Sequence, residues 1–220
     1  MIKNVLIVGA NGQIARLVED RLLKDGKDVH LTLFLRNAGR LVQLKDNKAV
    51  TIIDGDANNS EELREAIKDQ DIVYVAFVDH GENAQVTKNI IKIMDKERVK
   101  RLISSNILGI YDEVPGEFGE YNRQMCFGGV VKSTDSVVQS ATAIENSDLD
   151  YTILRIPWLN DRNEIKYTVT HKGEEYIGVS ASRKSVADLI VKIINDPKLY
   201  EKESIGFANP DTQGASRPVY

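Results

Sequence analysis

The chain has 220 residues, 42% of them hydrophobic and 28% charged, a balance usual for a folded globular unit, and it holds no apolar run long enough to cross a bilayer. A formal charge of -4 offers no broad basic field to a phosphate backbone, so neither nucleic acid nor membrane is an expected partner. One cysteine excludes an internal disulfide, three scattered histidines without HExxH or CxxC companions give a metal site no support, and Met1 leads straight into an apolar run with no leader pattern; the expectation is a cytoplasmic protein without a metal.

The length fits one domain over 1–220. Val5 to Val8 is short, β-branched and closed by Gly9, as in a strand buried on both faces of a parallel sheet. From Ile14, the apolar residues Ala15, Val18 and Leu22 recur at helical spacing, and Gly26 marks the end of that helix. Val29 to Leu35 and Val50 to Ile53 read as the next strands, with a short helix around Leu41 and Leu44 between them. Asn59 or Ser60 can cap a helix carrying Leu63 and Ile67; Ile72 to Phe77 is a fourth strand, Val86, Ile90 and Met94 mark a helix, and Arg101 to Ser105 is a fifth strand. Strands alternating with helices predict an α/β fold with a doubly wound parallel sheet.

After Ser105 the rhythm loosens, and the glycine-rich stretch from Ile107 to Gly129 reads as a loop beside a ligand site. Val137, Val138, Ala141 and Ile144 mark a helix leading to a sixth strand at Tyr151 to Leu154. A small substrate-side lobe is expected over about 156–182, followed by a helix carrying Val186, Leu189, Ile190, Ile193 and Ile194 and a closing strand at Ser204 to Ala208.

The chemistry-bearing feature is the turn Gly9-Ala10-Asn11-Gly12-Gln13-Ile14-Ala15 between the first strand and the first helix. A dinucleotide's pyrophosphate must reach unpaired backbone N–H groups at a helix N-terminus, where a side chain would block it. Gly9 supplies the tight turn, Gly12 the room, and Ala15 close packing of helix on strand. The two-residue spacing resembles the short-chain dehydrogenase/reductase superfamily, whose members share the Rossmann fold. The stretches Gly109-Ile110-Tyr111-Asp112-Glu113-Val114-Pro115-Gly116, Leu149-Asp150-Tyr151-Thr152-Ile153-Leu154-Arg155 and Ser182-Arg183-Lys184-Ser185-Val186-Ala187-Asp188 look like its atypical, NmrA-like branch, and the resemblance spans nearly the whole chain. It implies binding of NADP(H) or NAD(H), with some members reducing small molecules and others only sensing the cofactor.

An NAD site usually places a carboxylate at the end of the second strand, an NADP site an arginine. Here the chain reads Phe34-Leu35-Arg36-Asn37, so Arg36, with Arg40 nearby, points to NADP(H) as the favoured cofactor and NAD(H) as the alternative. Asp56, with Ala57 beside it, resembles the family aspartate that accepts from the adenine amino group; its plain alternative is a turn residue. Phe77 and Val78 are expected beneath the adenosine and central ribose, and Pro157 with Trp158 against the nicotinamide; for Phe77 and Trp158 the plain alternative is a place in the core. Together Gly9, Asn11, Gly12, Gln13, Ile14, Arg36, Asp56, Ala57, Phe77, Val78 and Pro157 form the expected cofactor site.

Catalytic residues are harder to find. The family's usual proton donor is a tyrosine with a lysine four residues on, and no tyrosine here is so followed. Ser105, Tyr111 and Tyr121 are the remaining candidates, and counting back from Gly109-Ile110-Tyr111 puts Asn106 and Ile107 where the family serines would stand. Hydride transfer to a flavin or quinone needs no such side-chain acid. The expected partner is therefore a small molecule, with a flavin or quinone as acceptor. The alternative is a redox sensor that binds NADP(H) without turnover and acts through a protein partner. His80 and Cys126 read as an ordinary loop histidine and a structural or exposed thiol.

Overall fold

The computed structural model describes residues 2–25 and 28–220, so the helix end expected at Gly26 lies outside the described residues. The chain runs β1 (Lys3–Val8), α1 (Gln13–Lys24), β2 (Val29–Leu35), β3 (Val50–Asp54), α2 (Ser60–Ile67), β4 (Ile72–Val75), α3 (Gln85–Glu97) and β5 (Arg101–Ile107). It continues with α4 (Gly116–Phe127), α5 (Ser136–Glu145), β6 (Asp150–Ile156), β7 (Trp158–Asn160), β8 (Thr168–His171), β9 (Ser180–Ser182), α6 (Arg183–Asn195) and β10 (Glu203–Ala208). A short 3-10 turn, Ala38–Leu44, joins β2 to β3 and buries Leu41.

The main sheet has eight strands in the order β3-β2-β1-β4-β5-β6-β10-β8, parallel except where β8 pairs antiparallel with β10 at the edge. Strand order reverses between β1 and β4, the crevice where ligands of open α/β sheets bind. Helices α1 and α6 cover one face, burying Ala15, Val18, Ile190 and Ile194 against Ile7, Tyr74, Ile103 and Leu154. On the other face α2, α3 and α5 bury Leu63, Ile90, Met94 and Ile144 against Leu6, Val73 and Ile153. The central strands bury both faces, which is why they read as continuous apolar runs rather than alternating ones. A separate two-stranded parallel sheet pairs β7 with β9. No helix among the described residues is long and apolar enough to cross a membrane.

Two expectations need correction. The stretch read as loop from Ile107 to Gly129 contains the twelve-residue helix α4. Its buried positions are Phe118, Gly119, Asn122 and Phe127, half of them not apolar, so no helical hydrophobic period shows. Gly119 is required by packing: a Cβ there would fall 2.0 Å from the Val114 carbonyl oxygen. The fifth strand also runs on past Ser105, with Asn106 and Ile107 in register with Arg155 and Ile156 of β6.

Candidate functional site

The turn after β1 is held by its own backbone. Gly9 N–H and Ala10 N–H both donate to the Phe34 carbonyl at the end of β2 (2.9 and 3.3 Å), and Gly12 N–H donates to Gly9 O (3.0 Å). Gly9 sits at φ +87°, the left-handed region that glycine enters without penalty, and a Cβ there would also press to 3.0 Å from the Phe77 ring. Gly12 differs in kind. At φ -63°, ψ 150° its backbone suits any residue, and a Cβ would meet nothing nearer than Gly9 O at 3.4 Å. The fold itself therefore tolerates a side chain at Gly12, whereas a phosphate approaching the helix N-terminus does not. Helix α1 has no side-chain N-cap and no acidic residue in its first turn, so its leading N–H groups and dipole face the crevice uncompensated. These features fit the pyrophosphate of a dinucleotide.

Around this turn lies a cleft of about 270 Å³ lined by Gly9, Arg36, Asp56, Ala57 and Phe77. Asp54 at the end of β3 accepts from Asn37 N–H (3.0 Å) and Ala38 N–H (3.1 Å), tethering the loop that carries Arg36. Sequence reasoning assigned Asp54 no role; its carboxylate acts on a segment seventeen residues away, and no local spacing signals that. Asp56 is oriented by Asn58, whose backbone N–H and side-chain amide both donate to its Oδ1 (3.0 and 2.8 Å) and hold its carboxyl below the usual range. Gly55 between them is sterically required, since a Cβ would lie 2.5 Å from the Phe34 ring. Asn11 turns its Oδ1 to Arg16, which donates to it through Nη2 (2.5 Å) and to Arg40 O (2.8 Å), pinning the glycine turn to the loop after β2. Gln13 and Ile14 open α1; Phe77 and Val78 are half-buried just beyond β4, and the nearby carboxylate of Asp79 accepts from Thr87 N–H and its hydroxyl (2.8 Å each).

Further along the same carboxyl edge of the sheet, the ends of β5 and β6 frame a second, largely apolar cleft of about 340 Å³ whose wall includes Ile107, Leu108, Pro157 and Trp158, with Arg183 at its margin. The catalytic candidates are dispersed around it. Ser105 is buried and faces the Tyr74 hydroxyl at 3.4 Å in the core under α1. Tyr111 donates to Glu145 Oε1 (2.7 Å) and lies beneath Arg155 and Lys172, and burial first, then the bond to Glu145, raises its pKa. Tyr121 packs against Trp158 at a tilt of 43°, centroids 5.4 Å apart, behind the cleft wall. Asn106 is tied internally, donating to Val137 O (2.9 Å). His80 is exposed after β4, and Cys126 on α4 is exposed as a residue, with partial burial raising the pKa of its thiol.

A buried ion pair and a buried carboxyl group border this architecture. Arg155, with no exposed surface, donates to Glu113 Oε1 (2.7 Å), Thr170 O (3.2 Å) and Ser204 O (3.3 Å), while Glu113 accepts from Gly109 N–H and Tyr111 N–H (3.1 and 3.0 Å). The pair thus anchors the turn after β5 to the far strands. Glu19 of α1 is buried, with Oε1 unpaired, and burial lifts its pKa to about 8 against the opposing pull of Arg16.

The profile of a family described as NAD(P)H-binding matches residues 9–197, which begins at the glycine turn and takes in both clefts. A short-chain dehydrogenase/reductase from Veillonella parvula, solved in complex with NADP, superposes over the whole of both chains with a TM-score of 0.88 at 27% identity. A Rossmann-fold NAD(P)-binding family protein from Shigella flexneri likewise covers both chains fully, at 36% identity and a TM-score of 0.80. Among curated relatives, eugenol synthase 1 of Petunia hybrida is 30% identical over 154 residues, 67% of this chain and 46% of that protein, so the chain spans about half the length of that relative. On the family profile, the glycine turn at the strand-order reversal and the full-length likeness, this chain belongs to the NAD(P)H-binding family of Rossmann-fold proteins, of the short-chain dehydrogenase/reductase kind.

Proposed function

We propose that the protein is an atypical, NmrA-like reductase that binds NADP(H) in preference to NAD(H) and passes hydride to a small planar acceptor such as a quinone or flavin. The observation that carries the cofactor preference is the end of β2, where Arg36 stands on the cleft margin and no carboxylate occupies the place of a ribose-binding acid. On this reading Gly9, Asn11, Gly12, Gln13 and Ile14 receive the pyrophosphate, Arg36 the 2′-phosphate, and Asp56 with Ala57 the adenine. Phe77 and Val78 support the adenosine and central ribose, and Pro157 borders the nicotinamide. When bound, the cofactor supplies the hydride, and the chain supplies placement and exclusion of water.

The acceptor class follows from what surrounds the second cleft. Its wall is largely apolar, Ser105 and Tyr111 are spent on internal contacts, no tyrosine is followed by a lysine four residues on, and Tyr167, to which Lys192 donates (2.9 Å), is not a wall residue. An acceptor whose reduced form takes its protons from water suits such a site better than a simple ketone. The segment over about 156–182 contributes Trp158 to that cleft and so serves as the substrate-side lobe of one domain. The test is NADPH oxidation at one cofactor concentration against 1,4-naphthoquinone, FMN and an aliphatic ketone. Faster turnover with the quinone or flavin is expected; faster turnover with the ketone overturns the acceptor class. The internal engagement of Ser105 and Tyr111 also supports a second reading, a cofactor sensor acting through a protein partner, which tight NADPH binding without reduction of any acceptor would favour.

A further inference from the structure

We propose that Asn122 is a positioning residue for the acceptor cleft: it locks the Trp158 ring as one wall of that cleft and thereby sets affinity for a planar acceptor. The inference rests on the reading of that cleft as the acceptor site. Asn122 sits on α4 with 1% of its surface exposed, and its single amide joins three segments. Its Nδ2 donates to Leu108 O (3.1 Å) just beyond β5, and its Oδ1 accepts from Trp158 Nε1 (3.1 Å) on β7 and faces Cys126 Sγ at 3.8 Å on its own helix. The orientation is unambiguous, because the indole N–H can only donate and a carbonyl can only accept. Leu108, Cys126 and Trp158 all line the cleft, so every partner of this amide is a wall residue.

The surrounding packing leaves the amide no other place. A Cβ on Gly109 would fall 2.4 Å from Asn122 Nδ2 and 3.1 Å from Phe127, so the turn after β5 accommodates the amide only because position 109 is glycine. On its other side the indole meets Tyr121, and Arg217 stacks 4.6 Å above that ring. Trp158 is thus fixed at its nitrogen by Asn122 and held by Tyr121 and by the buried cluster that includes Leu108 and Phe118, and the part of the ring that stays exposed borders the cleft. A rigid, half-buried indole immediately after Pro157 suits stacking on a flat conjugated ring, and an indole free to rotate would lose that geometry.

The experiment uses Asn122→Leu, which keeps the branched four-heavy-atom outline and removes both hydrogen bonds, and Trp158→Phe, which keeps one aromatic ring and removes the donor together with the five-membered half of the indole. Trp158 is the single tryptophan of the chain, so its emission reports this ring alone. In the wild type, 1,4-naphthoquinone should quench that emission. In Asn122→Leu the emission maximum should shift, and the quinone concentration for half-quenching should rise about tenfold, the loss of roughly one buried hydrogen bond, with NADPH affinity unchanged. The quinone KM should rise by at least that factor in Trp158→Phe, which also loses ring surface, and by no more in the double variant than in Trp158→Phe alone, since both substitutions remove the same Asn122 to Trp158 bond. Unchanged quinone affinity in folded Asn122→Leu, or losses that add in the double variant, would overturn the proposal while leaving the acceptor reading in place. Absence of quenching in the wild type itself would instead remove the acceptor reading, and the latch with it. Should Asn122→Leu not fold, Trp158→Phe still tests the latch, because it leaves the Asn122 to Leu108 bond intact: an unchanged quinone KM overturns the latch.

Discussion

Between β3 and β4 the turn at the head of the cleft is shaped by backbone: N–H groups at the start of α1, a left-handed Gly9, and the space above Gly12. Between β5 and β8 it is shaped by side chains held by other side chains, Arg155 on Glu113 and Asn122 on Trp158, from segments 42 and 36 residues apart. A backbone cradle is specified by a few small residues at fixed spacing and selects for a ligand part common to all dinucleotides. A side-chain network is specified by partners that meet only in the folded chain, and it can differ between relatives that share the cradle. On the proposed function, cofactor binding falls to one half and acceptor choice to the other, and substitutions in each half should separate the two.

The largest effect is expected from the buried ion pair. Glu113→Ala leaves the Arg155 guanidinium without a countercharge in a fully buried site and should cost about 3–5 kcal/mol of stability, read by denaturant unfolding. A loss below about 1 kcal/mol would show that water or Thr170 compensates, and that the acceptor half does not depend on this anchor.

Glu19 gives a smaller, pH-dependent effect in the cofactor half. Its pKa rises on folding from 4.5 to about 8, so the folded state prefers the neutral acid. Below pH 4.5 the group is neutral in both states and costs nothing; as pH rises toward 8 the unfolded chain ionises first, and stability falls. Glu19→Gln should remove this slope, matching wild type in acid and exceeding it by on the order of a few kcal/mol near pH 8. Parallel unfolding curves for the two proteins across that range would contradict the assignment.

How much of this was legible in the sequence follows from the same contrast. Gly9, Gly12 and Ala15 announced the cradle because their spacing is local, and the strands of the parallel core announced themselves as unbroken apolar runs. Helix α4 was not legible, because Gly119 and Asn122 stand where a helix usually shows apolar residues. The extent of β5 was not legible either: Asn106 is a poor strand former on its own, and it is held in register by pairing with Arg155. The roles of Asp54, Glu113 and Asn122 depend on distant partners that carry no mutual spacing rule.

Arg36→Ala sharpens the contrast at the cofactor end. It should weaken NADPH by about 1.5–3 kcal/mol, the worth of a charge-assisted contact, and leave NADH nearly unchanged, as read by parallel titrations. Equal losses for both cofactors would remove the 2′-phosphate assignment. The smallest effect is expected at Tyr111 and Tyr121: replacing either with Phe should change quinone turnover less than about twofold if neither donates a proton to the acceptor. A large fall for one of them would identify a proton donor in the acceptor half.

The central claim is that the crevice over Gly12 is the dinucleotide site, and calorimetric titration of Gly12→Val with NADPH beside the wild type tests it most directly. Because the backbone at Gly12 suits any residue and a Cβ meets nothing closer than 3.4 Å, the variant should stay folded, losing on the order of 1 kcal/mol for valine at a helix N-cap. Its NADPH affinity should fall by about a hundredfold or more, equivalent to about 2.7 kcal/mol, because the side chain fills the pyrophosphate's place. A folded Gly12→Val protein that binds NADPH as tightly as the wild type would contradict the account.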